Sequence, residues 1–153
     1  MTETPADLKL IAFDADDLAI VSAHLQDAVA QIGDMAYLPR EQRFVMLLNR
    51  FDWGKAAAPG SKDAYERRRA ALRIDRVLKA RLQGIDLKAK RQVLAMLAVQ
   101  YTPKGPEDPG GTLTLVFAGG PAIRLDVECI EAALEDLGAA WKTTRKPRHP
   151  GIS

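Results

Sequence analysis

ALRIDRVLKARLQ, residues 71–83, is the stretch whose reading decides the fold. Leu72, Ile74, Leu78, Ala80 and Leu82 share one parity, and Arg73, Asp75, Lys79, Arg81 and Gln83 share the other. That is the period of a pleated strand, whose successive side chains point to opposite faces. Only Arg76 and Val77 break it. The pattern predicts one long strand with an apolar face turned inward and a cationic face in water. Alanine and arginine are also good helix formers, which keeps a helix as the competing reading.

Toward the N-terminus, Leu8, Leu10, Ile11 and Phe13 read as a short strand, and Asp14 follows as an N-cap able to accept from first-turn amides. Leu18, Val21, Leu25, Ala28, Val29 and Ile32 recur at helical spacing and predict a helix ending near Gly33. The period then changes to two. DMAYL (34–38) and RFVMLLNRFDW (43–53) flank Pro39, Arg40, Glu41 and Gln42 as strands flank a hairpin loop, and residues 54–62 read as a loop. Trp53, like Trp141, is expected to anchor the edge of the core.

Toward the C-terminus, residues 84–91 form a polar turn region, and VLAMLAVQY (93–101) is apolar at both parities, as a strand covered on both faces would be. PKGPEDPGG (103–111) is predicted to be irregular. Residues 112–118 and 123–127 alternate around Gly119 and Gly120 as a hairpin. Ile130, Ala133, Leu134 and Leu137 return to helical spacing before Gly138. The predicted fold is therefore α+β: a curved, mainly antiparallel sheet, partly closed like a barrel, with one N-terminal and one C-terminal helix. A pleckstrin-homology-like barrel closed by the C-terminal helix is its leading variant. One domain is expected over residues 1–141, followed by a basic, flexible tail over 142–153.

Charge is segregated along the chain although the net is only +2. Residues 67–104 carry eleven Lys or Arg against two Asp, while the segments on either side, 1–66 and 105–140, are acidic. Arg67, Arg69, Arg73, Lys79 and Arg81 are the candidate anion-binding residues, with Lys88, Lys90 and Arg91 in the following turn. No aromatic lies between Tyr65 and Tyr101 to stack on bases, so the stripe is half of a nucleic-acid signature. The simpler reading pairs these cations across the sheet with carboxylates of the acidic segments.

The chain's single cysteine, Cys129, excludes an intramolecular disulfide and a cysteine-only zinc site. Placed just before the predicted C-terminal helix, it reads as a small buried hydrophobe or as a thiol near a helix N-terminus. The start, MTETPADLKL, has neither a basic n-region nor an apolar h-region. With no long apolar run elsewhere, a cytoplasmic protein without membrane contact is expected. No phosphate-binding glycine pattern, HExxH pair or G-x-S-x-G elbow occurs, and neither cofactor nor metal is expected. His24 and His149 are the only histidines. His24 falls beside the apolar stripe of the first helix.

LIAFDADDLAI (10–20) resembles the nucleophile motif of the haloacid dehalogenase phosphatases. The resemblance implies Asp14 as nucleophile and Asp16 as acid and base beside magnesium. Leu18 departs from the Thr or Val usual two residues after the second aspartate, and the strand and helix alternation of that fold does not follow. Helix capping and the macrodipole explain the same aspartates without chemistry. Over its whole length, from Leu8 to Trp141, the chain resembles an uncharacterised bacterial family known only as a domain of unknown function. LKLIAFDADDLAIVSAHLQDAV, GDMAYLPREQRF with NRFDW, RRRAALR and AIRLDVECIEAALEDLGAAW carry the resemblance. It implies no activity or catalytic residue. The sequence favours a non-catalytic binding or protein-interaction module, with a protein partner or as a homo-oligomer. The alternatives are nucleic-acid binding through 67–91 and a phosphohydrolase using Asp14 and Asp16.

Overall fold

The computed structural model of the chain describes residues 8–51, 66–138 and 141–142. The first strand, β1 (Lys9–Ala12), leads into α1 (Ala15–Leu25). Asp14 caps the helix from extended backbone, and its carboxylate accepts from the Asp17 N–H at 2.8 Å. The Asp17 carboxylate reaches back to the Phe13 N–H at 3.1 Å, so side chains at both ends of the first turn satisfy backbone donors. Leu18, Val21 and Leu25 form the buried stripe. Replacing Asp14 with alanine is expected to cost about 1 kcal/mol, read as a small fall in the urea midpoint, whereas asparagine keeps a capping oxygen and leaves stability unchanged.

The helix stops at Leu25, short of the predicted Gly33. Asp27 takes a left-handed φ of 67°, its N–H donates to the Met96 carbonyl at 2.9 Å, and the Met96 N–H donates to the Ala28 carbonyl at 2.8 Å. Pairing with a distant strand therefore overrides the helical period. Val29 belongs to β2 (Val29–Gln31), and Ile32 begins a single 3-10 turn, Ile32–Asp34. The next two strands, β3 (Met35–Leu38) and β4 (Arg43–Phe51), form the predicted hairpin.

The chain continues through β5 (Glu66–Ile74), β6 (Val77–Gln83), β7 (Val93–Gly105), β8 (Asp108–Phe117), β9 (Ala122–Val127), β10 (Ala132–Asp136) and β11 (Trp141–Lys142). The strand order is β1-β10-β5-β4-β2-β7-β8-β9-β6, with β3 also on β4 and β11 also on β5, and the pairings are antiparallel. The sheet does not close into a barrel, and α1 is the single α-helix among the described residues. Both the predicted barrel closure and the predicted C-terminal helix are therefore corrected, and with them the pleckstrin-homology-like variant. Ala133 and Leu134 lie in β10, which supplies a hydrogen-bonding partner to β1 on one side and β5 on the other. The helical spacing at 130–137 spans too few residues to outweigh that demand.

The central third is extended, as predicted, but it is two strands. Arg76 has a φ of 63°, and Asp75 and Arg76 turn the chain between β5 and β6. Leu72 and Ile74 are buried on one parity, and Val77 is buried on the other. Leu78 and Leu82, predicted to face inward, are 52% and 41% exposed. The connection between β9 and β10 runs alongside. The Asp75 N–H donates to the Glu131 carbonyl at 2.8 Å, and the Glu128 N–H to the Arg76 carbonyl at 3.0 Å. One long ribbon thus turns a corner and wraps the sheet around its core. At that corner the Asp75 carboxylate accepts from Arg43 Nε at 2.7 Å and from Arg73 Nε at 2.9 Å.

Two further predictions change. In β7, read as covered on both faces, Val93 and Leu97 are about half exposed. The segment 103–111, read as irregular, continues the β7–β8 hairpin, with Pro103 opposite Gly111 and Gly105 opposite Asp108. Glycine at 111 permits a close approach, because a Cβ there would sit 2.7 Å from the Tyr101 ring. The predicted loop at 54–62, Trp53 and the tail from residue 143 lie outside the described residues, as does the Trp141 side chain.

Candidate functional site

The five candidate cations do not converge. Along β5, Arg67, Arg69 and Arg73 alternate with the buried parity and stand opposite Phe51, Asn49 and Val45 of β4. Lys79 and Arg81 lie past the corner on β6, opposite Asp126 and Arg124 of β9. The Arg67 guanidinium sits 5.4 Å from the centre of the Phe51 ring, a cation–π distance. Burial lowers the Arg67 pKa, Asp27 acts in the opposite direction, and its Nη1 has no hydrogen-bond partner among the described residues.

Neighbouring oxygens engage most of the others. Arg69 donates to Asn49 Oδ1 at 3.3 Å and lies 3.5 Å from Asp34 Oδ2. Arg73 holds the corner carboxylate of Asp75. Arg81 donates to Asp126 Oδ1 at 2.7 Å, and the same oxygen accepts from Thr112 Oγ1 at 3.1 Å. Lys79 is exposed and has no ion pair among the described residues. Carboxylates of the acidic segments therefore neutralise Arg69 and Arg81, as the charge segregation suggested, whereas Arg73 pairs with Asp75 of the basic segment itself.

Cations without such partners gather in the turn after β6. There the Asp86 carboxylate accepts from the Lys88 N–H at 2.9 Å, which fixes the turn and leaves Leu87, Lys88, Lys90 and Arg91 exposed. The Lys90 carbonyl accepts from the Gly33 N–H at 2.9 Å, anchoring this turn to the 3-10 turn before β3.

The candidate acid–base groups are also apart. Asp14 caps α1, Asp16 is exposed, and His24 lies in the last turn of the helix with Nδ1 2.9 Å from the Ile20 carbonyl. Ten residues of helix separate Asp14 from His24, roughly 15 Å at 1.5 Å per residue. The strand before Asp14 ends an antiparallel sheet, unlike the parallel framework that the phosphatase resemblance implies. Cys129 lies between β9 and β10, so it precedes a strand and not a helix. Among the described residues no three His, Cys, Asp or Glu side chains cluster to hold a metal, and no helix is long and apolar enough to cross a membrane. The void between β2, β4, β7 and β8 is lined by Ala28, Ala30, Met46, Leu48, Leu94 and Phe117 and is too small for a water molecule.

A buried polar cluster escaped sequence reasoning. Arg50 donates through Nε to Asp136 Oδ1 at 2.8 Å and through Nη2 to Oδ2 at 3.0 Å, a bidentate pair away from solvent. Arg68 Nη1 lies 3.9 Å from Oδ2, and the Leu8 N–H donates to the same oxygen at 2.8 Å. Burial alone would raise the Asp136 pKa. The Arg50 hydrogen bond, the Leu8 N–H and the charges of Arg50 and Arg68 outweigh it and hold the carboxyl below the usual range. The cluster ties β4, β5, β10 and the start of β1 together from the inside. A signal existed: Arg50 shares the parity of Phe44, Met46 and Leu48, and Arg68 that of Ala70, Leu72 and Ile74.

A protein-family model described as "Protein of unknown function (DUF2948)" matches residues 8–149, nearly the whole chain. No curated protein and no solved structure matches.

Proposed function

We propose that this chain, which belongs to the DUF2948 family of proteins of unknown function, is a non-catalytic protein-interaction module working through the surface of its sheet. One observation carries the reading. Leu78 and Leu82 stand half exposed on β6, the strand at one end of the sheet, where nothing among the described residues continues the layer. Of the groups that the sequence offered for chemistry, Asp14, His24 and Arg73 have structural partners and support the same reading, while Asp16 is exposed on the first turn of α1.

The test compares two variants of the full chain. Leu78→Asp with Leu82→Asp is expected to abolish co-purification of the partner and its binding in a two-component titration. Asp14→Asn, which keeps the cap, is expected to retain both. Magnesium-dependent turnover of p-nitrophenyl phosphate that disappears in Asp14→Asn would overturn the reading in favour of a phosphohydrolase. Nucleic-acid binding through 67–91 is favoured by the exposed Lys88, Lys90 and Arg91 but weakened by the pairing of Arg69, Arg73 and Arg81. It requires affinity that falls steeply with salt, since each phosphate neutralised releases counterions.

A further inference from the structure

We infer that the open side of β6 takes up an extended segment of a partner protein as one more strand, and that this segment alternates acidic with apolar residues. The inference rests on the interaction reading above and names its site and partner chemistry.

On one side β6 pairs with β9 from Val77 to Gln83. On the other, the described chain meets it at Val77, whose N–H donates to the Gln42 carbonyl at 2.9 Å and whose carbonyl accepts from the Tyr37 hydroxyl at 3.4 Å. Beyond Val77, no strand among the described residues covers the edge as far as Gln83. The register on β9 shifts between Val77 and Lys79, so the regular part of the edge is Lys79–Gln83, which at about 3.3 Å per residue offers roughly 16 Å of unpaired ladder, an ordinary strand length. An open edge of this kind is a template for strand addition.

The side chains specify what fits. Ala80 and Leu82 stand opposite Leu125 and Ile123, both fully buried, so the core-side row runs out to the edge and stops there unfinished. An added strand with apolar residues on that parity would complete the row. On the opposite face stand Lys79, Arg81 and Arg124, with Asp126 the one carboxylate between them, and the turn beyond adds Lys88, Lys90 and Arg91. That face selects acidic residues on the other parity of the incoming strand.

A second copy of the chain is a poor occupant. In a two-fold antiparallel pairing of β6 with itself, directly opposed residues have equal parity. A register centred on Lys79 opposes Lys79 to Lys79, one centred on Ala80 opposes Lys79 to Arg81, and one centred on Arg81 opposes Arg81 to Arg81. Like charges directly opposite destabilise a sheet, so the same cations that favour an acidic partner discourage self-pairing.

The experiment titrates the full chain, by fluorescence anisotropy, against a labelled octapeptide alternating glutamate with valine. Comparison peptides are two N-methylated forms, each blocked at one parity, and a lysine–valine peptide. A strand added at an edge pairs through alternate residues only, so one N-methylated form should lose about tenfold or more in affinity while the other binds normally. Lys79→Glu, a change at an exposed residue, should weaken the glutamate peptide and strengthen the lysine peptide. Equal binding of both N-methylated forms, displacement by oligothymidylate, self-association that occupies the edge, or no binding would each overturn strand addition. Displacement by oligothymidylate would overturn the interaction-module reading as well, in favour of nucleic-acid binding, whereas the other outcomes sink strand addition alone and leave that reading standing, so the two failures stay distinguishable.

Discussion

Asp136→Asn should destabilise the fold by about 3–5 kcal/mol, the usual consequence of removing one partner from a buried ion pair. The substitution changes almost no volume, so the loss is electrostatic. Arg50, itself buried, loses a bidentate carboxylate, and the charge that Arg68 faces also disappears. With an m-value of about 2 kcal/mol/M, the urea midpoint should fall by roughly 2 M while m stays the same. The pH dependence separates this account from simple misfolding. The Asp136 carboxyl is held below its ordinary range in the folded chain, so its contribution is fully present above the unfolded value of about 3.9. It is lost as pH falls through the depressed folded value. The gap between wild type and Asp136→Asn should therefore be constant from neutral pH down to about 5 and close below about 4. A gap that stays open in strong acid would mean that the side chain acts through packing, not charge.

The same residue shows why part of this fold was hidden in the sequence. Where a period has room to repeat within one layer, sequence pattern and structure agree: the capped start of α1, the β3–β4 hairpin around 39–42 and the β8–β9 hairpin around Gly119 and Gly120. Failures came where a distant strand set the local conformation. Ala28 to Ile32 and Ile130 to Leu137 both show helical spacing in segments rich in helix formers, yet both are drawn into ladders, on β7 and on β5. Propensity is a weak prior beside such pairing. Reading 130–137 as a helix concealed the inward parity of Leu134 and Asp136, and with it the partner of Arg50.

The candidate site was half legible for a related reason. Composition identified a basic segment between acidic ones, and the structure places Asp34, Asp75 and Asp126 beside Arg69, Arg73 and Arg81. The break at Arg76 and Val77 is visible as an irregularity, but its meaning, a corner that moves β6 to the end of the sheet, depends on the connection between β9 and β10 pairing with it. No local pattern encodes that. The exposure of Leu78 and Leu82, the feature on which the functional reading turns, follows from the register irregularity between Val77 and Lys79 and from the place of β6 at the end of the sheet, and could not be read from alternation alone.

Phe117→Ala should cost about 3–5 kcal/mol, because it removes a large ring from an interior with little room to collapse. Phe117 is 2% exposed at the end of β8, where its N–H donates to the Pro121 carbonyl at 3.0 Å across the turn to β9. It stands opposite Met96, next to the irregularity in the β7–β8 ladder, and shares a surrounding of Met46, Leu48, Leu94 and Met96 with β2. Those neighbours come from strands on both sides of β2, the short strand that joins the two parts of the sheet. Removing the ring would enlarge a void that now admits no water and is lined by apolar atoms, so solvent could not offset the lost contacts. The effect should appear as a lower urea midpoint at neutral pH and, unlike that of Asp136→Asn, should persist unchanged in acid. Because β6 lies two strands from β8, beyond β9, the variant should keep its edge-binding behaviour wherever it remains folded. Loss of peptide binding in a folded Phe117→Ala chain would show that the edge depends on the packing of the interior and not on its own exposed groups.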